Sequence, residues 1–224
     1  MTSPSRSFAL IPAAGYSTRM GQPKLLLPLA GKPLITHTID AWLSSNVDRV
    51  LVVIRPGDDD LGAAVREAAG SQVSRSKNRV ELVVPNAPPP DMKASLQAAL
   101  AHLQQHVQPT LADAFLVAPA DMPGLSSTII NRLIEQHHRG SKYEILAPTI
   151  SQQRGHPVLF PWRFAAQVFQ LGEHEGLNAI VERELVELIA CDDLAAADES
   201  PFADIDTPEQ YNQIIRNSLP NNTN

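Results

Sequence analysis

The sequence has 224 residues, 43% of them hydrophobic, and a formal net charge of -6 at pH 7. That length suits one large α/β domain, and the acidic balance argues against a nucleic-acid binder, because phosphate backbones require a broad basic surface. The single cysteine, Cys191, excludes a disulfide framework and a cysteine-based zinc site. No apolar run approaches the roughly 18 residues of a membrane span, and no signal-peptide pattern is present, so we expect a cytoplasmic protein that binds no membrane.

Strand-like apolar runs alternate with helical patterns along most of the chain. The pattern predicts, in chain order, strand 7–12, helix 32–45, strand 48–54, helix 58–69, strand 80–85, helix 93–106, strand 113–120 and helix 126–139. It continues less regularly with strands 143–148 and 157–161, helices 161–170 and 176–183, strand 185–190 and helix 207–217. This order predicts one α/β domain over residues 1–218, with a mostly parallel central sheet and helices on both faces. Residues 219–224 are expected to form a loose tail.

The stretch after the first strand combines small residues with two cations. It begins with Ala13, Ala14 and Gly15 and soon presents Arg19 and Lys24. Ligands of open α/β sheets bind beyond the carboxyl ends of the strands, where small residues let backbone N–H groups approach a phosphate. Arg19 would fork onto phosphate oxygens, and Lys24 would supply a movable charge. The alternative is an ordinary strand-to-helix turn with two solvated cations.

Two better-known nucleotide motifs are absent from the sequence. The pair Gly31 and Lys32 is followed by Pro33, whereas a P-loop requires Ser or Thr at that position. Gly15 and Gly21 have no glycine between them, so the G-x-G-x-x-G dinucleotide fingerprint is missing. Both departures argue against a P-loop protein and against a dinucleotide-binding redox protein.

Carboxylates occupy two positions near the predicted ligand edge of the sheet. Asp121 comes directly after the apolar run 113–120, and Asp206 precedes the last predicted helix. Mg²⁺ prefers oxygen ligands and binds few protein groups besides substrate phosphates, so both carboxylates are candidate magnesium ligands. Asp121 could instead cap the helix at 126–139, and Asp206 could cap the last helix, although Thr207 is already placed to do so.

Two further segments carry polar groups that could contact a ligand. Ser95 and Lys93 lie at the start of helix 93–106, and helix N-termini attract anions. Arg154 and His156 precede the apolar run 157–161 and could contact a substrate. The alternatives are plain surface charge for Lys93 and a solvated loop position for His156.

Taken in order, these stretches resemble the nucleotidyltransferases that activate molybdenum cofactor. LIPAAGYSTRMGQPKLLLPLAGKPLI is similar to the opening signature of that family, MKASLQAAL to its second nucleotide-contacting segment and APADMP to its magnesium-binding segment. RGHPVLF and DIDTPE resemble the molybdopterin cytidylyltransferase branch. The resemblance extends over about residues 8–215.

The resemblance implies a single-domain, Rossmann-like nucleotidyltransferase fold and a Mg²⁺-dependent transfer of a nucleoside monophosphate. CTP is the favoured donor and a molybdopterin-type compound the favoured acceptor, with a molybdoenzyme or its chaperone as a further partner. Arg19 and Lys24 would be the catalytic residues on the triphosphate, and Asp121 and Asp206 would hold Mg²⁺. The remaining implied contacts are with the nucleotide, from Ala13, Ala14, Gly15 and Ser95, and with the acceptor, from Arg154 and His156.

Several positions depart from the family pattern. Asp91 stands where a glycine usually precedes the Met-x-x-Ser-Leu segment, and Lys93 replaces a small residue. Pro12 occupies a position where a small residue or leucine is common, and the segment 172–181 lacks an expected arginine. Two alternatives therefore stay open: a sugar- or polyol-phosphate nucleotidyltransferase, and a non-catalytic nucleotide-binding regulator or cofactor chaperone.

Overall fold

A computed structural model of the chain describes residues 5–71, 80–140, 143–194 and 202–218. The strands in these ranges are β1 (Ser7–Pro12), β2 (Pro28–Leu29), β3 (Lys32–Pro33), β4 (Arg49–Val53), β5 (Val80–Val83), β6 (Ala114–Val117), β7 (Ile145–Ile150), β8 (Gln153–Arg154), β9 (Val158–Pro161) and β10 (Val186–Ala190). The α-helices are α1 (Leu34–Leu43), α2 (Asp59–Ser71), α3 (Met92–His106), α4 (Ser127–Arg139), α5 (Ala165–Gln170), α6 (Leu177–Arg183) and α7 (Pro208–Ser218). No helix in the described ranges is both long enough and apolar enough to cross a membrane.

The central sheet has the strand order β10-β7-β9-β6-β1-β4-β5. β1 pairs in parallel with β4 and β6, β4 with β5, and β7 with β10. β9 runs antiparallel between β6 and β7, and the short β8 forms a hairpin with β7. The chain reverses through this hairpin instead of a crossover helix, which is why β9 is antiparallel. The predicted α/β domain with a mostly parallel central sheet is confirmed.

Side chains alternate between the two faces of the sheet, and helices cover both faces. Ile11 of β1 points into a core formed with α1, α2 and α4, whereas Leu10 points into a core formed with α3, α5 and α6. Both side chains are fully buried. Because the central strands are buried on both sides, they appear in the sequence as near-continuous apolar runs.

A third, smaller cluster attaches the C-terminal segment to the loop after β1. Met20, Leu29, Leu34 and Ile205 are buried together, and the partly buried Tyr211 of α7 packs against them. The Tyr211 hydroxyl also donates to the carbonyl oxygen of Pro28 at 2.6 Å. This cluster fixes the segment before α7 next to the loop that follows β1.

Several predicted bounds differ from the structure. The helix predicted from residue 32 begins at Leu34, because Lys32 and Pro33 pair with β2 as strand β3. The strand predicted over 113–120 leaves the sheet after Val117, and the helix predicted over 161–170 begins with a 3-10 turn at Trp162–Phe164. The predicted tail at 219–224 lies outside the described residues.

A buried carboxylate joins the entry of β1 to the entry of β6. Asp113 accepts hydrogen bonds from the backbone N–H of Arg6 at 2.7 Å, from the Arg6 guanidinium at 2.8 Å and from the backbone N–H of Thr110 at 2.7 Å. Burial alone would raise the pKa of Asp113, but these hydrogen bonds outweigh it and lower the pKa below the ordinary value of 3.8. The ionised form is therefore the one that stabilises the fold.

We predict that Asp113→Ala lowers the free energy of unfolding by about 1 to 3 kcal/mol at pH 7, because buried donors lose their acceptor. The folded-state pKa lies below 3.8, so the stabilisation is complete above that pH and disappears as the pH falls through the folded-state value. Urea unfolding at pH 7 and at pH 3 measures both effects. The matched control is Asp193→Ala, which removes an exposed carboxylate and should cost less. An equal loss at both pH values would contradict the prediction.

Candidate active site

A cavity of about 370 Å³ opens beyond the carboxyl ends of β1 and β6. Its wall includes residues from the loop after β1, from the start of α3, from the segment after β6 and from the segment before α7. The eight residues predicted for catalysis, nucleotide binding and metal binding all line it: Ala13, Ala14, Gly15, Arg19, Lys24, Ser95, Asp121 and Asp206. The fold thus brings together groups from four separate parts of the chain.

The loop after β1 contributes both small residues and cations to the cavity wall. The N–H of Ala13 still bonds to the carbonyl of Val53 at 2.8 Å, so the loop leaves the sheet only after this residue. A Cβ added to Gly15 would meet no described atom within 4 Å, which leaves the backbone accessible from the cavity. Gly21 ends a tight turn with φ +69°, a conformation that favours glycine. The turn places Arg19 at its exposed tip.

The ammonium of Lys24 lies between two carboxylates at the centre of the cavity wall. It contacts Asp121 at close range and Asp206 at 2.9 Å, and Arg19 pairs with the other oxygen of Asp206 at 2.8 Å. The Lys24 and Asp121 side chains are 17% and 9% exposed, whereas Arg19 is 73% exposed. Two cations and two carboxylates therefore form one connected charge cluster, buried at one end and open to solvent at the other.

The pKa values in this cluster follow from burial and pairing. Burial lowers the pKa of Lys24, but hydrogen bonds and charges from Asp121 and Asp206 more than offset this and raise it above its ordinary value. The Lys24 ammonium lowers the pKa of Asp206. Burial raises the pKa of Asp121, and Lys24 offsets only part of that rise. Lys24 is thus held in its charged form by the two carboxylates that it joins.

Local hydrogen bonds hold Asp206 in the cluster. Thr207 accepts from the backbone N–H of Gln210 at 3.3 Å, and the Gln210 side chain accepts from the N–H of Thr207 at 2.9 Å and from that of Asp206 at 2.7 Å. This reciprocal capping leaves the Asp206 carboxylate available for Lys24 and Arg19. The N–H of Ile205 donates to the Asp121 carbonyl at 3.2 Å, which joins the two acidic segments directly.

The two carboxylates fit a small divalent cation. Both already approach one positive group, the Lys24 ammonium, so both could reach one metal ion near that position. Across the described residues, no group of three or more His, Cys, Asp or Glu side chains is arranged to hold a metal. A pair of carboxylates is nevertheless what Mg²⁺ accepts, because it retains waters and takes further ligands from phosphates.

The two residues at the start of α3 that depart from the family pattern have different contacts in the structure. Asp91 lines the cavity, but its side chain is also the N-cap of α3 and accepts from the Ala94 N–H at 2.7 Å. Lys93 does not point along the cavity wall. Its ammonium donates to the carbonyl oxygens of Gly172 and Glu173 at 2.5 and 2.9 Å, so it anchors the loop before α6.

The predicted acceptor residues lie beside the cavity rather than on its wall. Arg154 is exposed on β8, and His156 follows it with a half-buried ring. Burial lowers the pKa of His156 below 6.5, against the opposing effects of the Val117 carbonyl and the Asp204 charge. The ring is therefore neutral at neutral pH and lies within electrostatic range of Asp121.

Sequence reasoning missed Arg55 and Tyr16. Arg55 follows β4, and its guanidinium donates to the Gly15 carbonyl at 2.8 Å and pairs with Asp58 at 2.6 Å. Its guanidinium carbon lies 4.9 Å from the centre of the Tyr16 ring. The signal was available, because Arg55 directly follows the predicted strand 48–54, where ligands of open α/β sheets bind.

Two curated relatives are similar to this chain. A 2-C-methyl-D-erythritol 4-phosphate cytidylyltransferase of Ralstonia nicotianae is 39% identical over 135 residues, which are 58% of this chain and 49% of that protein. The chain thus matches about half the length of that relative. A nicotine blue oxidoreductase of Paenarthrobacter nicotinovorans is 29% identical over 213 residues, or 91% of this chain and 93% of that protein.

The chain also resembles solved structures and matches a family model. The crystal structure of Rv0371c from Mycobacterium tuberculosis has a TM-score of 0.72 and 21% identity, covering 96% of this chain and all of that one, and a manganese complex of the same protein has a TM-score of 0.70. At this identity the likeness shows the fold alone. Residues 9–188, more than half of the chain, match the MobA-like NTP transferase domain model. The chain therefore belongs to the MobA-like NTP transferase domain family, within the nucleotidyltransferase superfamily.

Proposed function

We propose that this protein transfers a nucleoside monophosphate from a nucleoside triphosphate to a phosphorylated acceptor. The observation that carries the proposal is the charge cluster of Arg19, Lys24, Asp121 and Asp206, which lies in a cavity that is also lined by the small residues 13–15. Phosphate-binding cations beside two metal-competent carboxylates suit a triphosphate that carries Mg²⁺. CTP is the donor we favour, which agrees with the cytidylyltransferase named among the relatives.

In the proposed reaction a phosphate oxygen of the acceptor forms a bond to the α-phosphorus. The bond from that phosphorus to the oxygen bridging to the β-phosphorus breaks, and its electron pair leaves with pyrophosphate. Lys24 and Arg19 bind the triphosphate oxygens and stabilise the charge that develops on the leaving group. Mg²⁺, held by Asp121 and Asp206, would supply Lewis-acid neutralisation of the phosphates. The protein's main contribution is alignment of the two reactants.

The acceptor side of the proposal rests on Arg154 and His156. Arg154 is an exposed cation on the hairpin, suited to a phosphate group, and the half-buried ring of His156 follows it on the same segment. We favour a molybdopterin-type acceptor, delivered onward to a molybdoenzyme or its chaperone. A sugar or polyol phosphate is the alternative acceptor. It is supported by the similarity to the 2-C-methyl-D-erythritol 4-phosphate cytidylyltransferase.

An oxidoreductase is the second candidate function. The relative named nicotine blue oxidoreductase matches nearly the full length of both chains, which favours testing it. An oxidoreductase does not need two carboxylates around Lys24, whereas binding of a metal-bound triphosphate accounts for them. We therefore place nucleotidyl transfer first.

We predict magnesium-dependent pyrophosphate release with at least one nucleoside triphosphate when molybdopterin or a sugar or polyol phosphate is present. Asp121→Ala should reduce the rate by about 100-fold or more, because it removes a preorganised charge from the reacting centre. Asp193→Ala, an exposed carboxylate outside the cavity, is the matched control and should retain the rate.

Reduction of nicotine blue with NADH or NADPH is measured on the same preparation. Nucleotidyl transfer is wrong if no donor and acceptor pair releases pyrophosphate in a magnesium-dependent way. Equal turnover by wild type and Asp121→Ala would contradict the proposed metal site alone.

Arg55 holds the loop after β1 by donating to the Gly15 carbonyl. It lines a second cavity of about 300 Å³, which shares residues 15–18 with the first, and its guanidinium lies over the Tyr16 ring. In the described structure it does not line the first cavity. We therefore propose that Arg55 is a positioning residue, which orients the loop backbone without contacting the nucleotide.

Replacing Arg55 by Met keeps a long side chain and removes the donors to Gly15. We expect KM for the nucleoside triphosphate to rise about threefold to tenfold with a smaller change in kcat, as expected for loss of one hydrogen bond of about 1 kcal/mol. Hydrogen exchange of residues 15–21 should accelerate. Arg163→Met is the matched control, since Arg163 also holds a carbonyl and stacks on a tyrosine, Tyr143, but lines neither cavity. An equal rise in KM for both variants would contradict the positioning role.

A further inference from the structure

Asp91 presents a carboxylate to the cavity from the wall formed by α3. One oxygen, Oδ1, accepts from the Ala94 N–H at 2.7 Å, and the Asp91 carbonyl accepts from the Ser95 N–H and hydroxyl, both at 3.3 Å. These bonds fix the position of the residue in the backbone. Asp91 and Ser95 line the same cavity as Ala13, Ala14 and Gly15.

The second carboxylate oxygen, Oδ2, accepts no hydrogen bond from the described residues. The nearest cation is the Lys93 ammonium at 4.0 Å, and Lys93 already donates to the carbonyl oxygens of Gly172 and Glu173. The Asp91 side chain is 45% exposed. The capping role therefore uses one oxygen and leaves the other available to a donor on a ligand.

The distribution of charge decides which part of a nucleotide meets this oxygen. Arg19 and Lys24 attract the triphosphate, whereas Asp91, which lies 4.0 Å from the Lys93 ammonium and is not directly paired, repels it. We take the phosphates to lie at Arg19 and Lys24, so the nucleoside lies toward the α3 wall of the same cavity, where Asp91 and Ser95 stand. An ionised carboxylate only accepts hydrogen bonds, so it favours N–H and O–H groups and disfavours a carbonyl oxygen.

We propose that Asp91 determines base specificity by accepting a hydrogen bond from the exocyclic amino group of the base, as N4 of cytosine provides. Uracil has the same ring size but places the O4 carbonyl oxygen there, whose lone pairs would face the carboxylate. The proposal rests on the proposed function, because it assumes that the cavity binds a nucleoside triphosphate. In this proposal the Asp91 carboxylate, which replaces the glycine usual at this position, is the group that discriminates CTP from UTP.

The test is Asp91→Asn, which keeps the cap because asparagine caps helices as well as aspartate does. The amide oxygen would accept from Ala94, and the amide nitrogen would replace Oδ2 and donate to a carbonyl oxygen. Dissociation constants for CTP, UTP and dCTP are measured calorimetrically with Mg²⁺ and without acceptor. Wild type should prefer CTP, and the CTP-to-UTP preference should fall at least about tenfold in the variant. Asp91→Ser, which also retains a cap, should lose the preference without gaining UTP affinity.

Asp48→Asn is the matched control, because Asp48 also accepts a backbone N–H, that of Ser7 at 2.7 Å, outside the cavity. It should leave the preference unchanged. If wild type binds nucleotides and Asp91→Asn keeps the same CTP-to-UTP ratio, the Asp91 proposal alone is wrong. If Asp91→Asn no longer discriminates between CTP and dCTP but keeps the CTP-to-UTP preference, Asp91 contacts the ribose and the proposal is wrong. Failure of wild type to bind any triphosphate would overturn the proposed function as well.

Discussion

The contact of Lys24 with Asp121 and Asp206 is the interaction on which the arrangement of the cavity depends. Lys24 is 97 residues from Asp121 and 182 from Asp206 along the chain. Three structural features are needed to bring them together: the loop after β1, the end of β6 and the capped segment before α7. Each feature has its own support, and the small cluster of Met20, Leu34 and Ile205 packs the first against the last.

This contact also explains how the charge cluster can be stable without a ligand and still bind one. Two carboxylates in a partly buried position would repel each other, and the Lys24 ammonium offsets that repulsion. A nucleoside triphosphate with its divalent cation offers each group a new partner of opposite charge. In the proposed function the phosphates would bind Lys24 and the divalent cation would bind the carboxylates, so each of these groups has a partner of opposite charge in both states. Arg19 remains exposed at the cavity entrance, suited to meet the phosphates first.

Much of the site could be predicted because ligands bind where parallel strands end. Asp121 follows a predicted strand, Asp206 precedes a predicted helix, and Lys24 lies in the segment after the first predicted strand. The apolar runs that located the two strands are buried on both faces. The residue-level contacts could not be predicted, because they join positions far apart in sequence. The sequence showed Asp91 only as a departure from the usual glycine, and its capping of α3 depends on the local backbone.

The antiparallel β9 was missed for a related reason. A short apolar run of four residues does not reveal its direction, which is set by the hairpin that precedes it. Arg55 was missed although it directly follows the predicted strand 48–54. Its role depends on the Gly15 carbonyl and the Tyr16 ring, which only the folded loop brings within reach.

The most direct test of the exchange at Lys24 is a crystal structure with Mn²⁺ and a non-hydrolysable CTP analogue, in which anomalous scattering locates the metal. We expect the manganese ion to be coordinated by Asp121 and Asp206 and the Lys24 ammonium to pair with a phosphate oxygen instead. A nucleotide-bound structure in which manganese lies elsewhere and Lys24 still joins the two carboxylates would contradict the proposed role of this cluster.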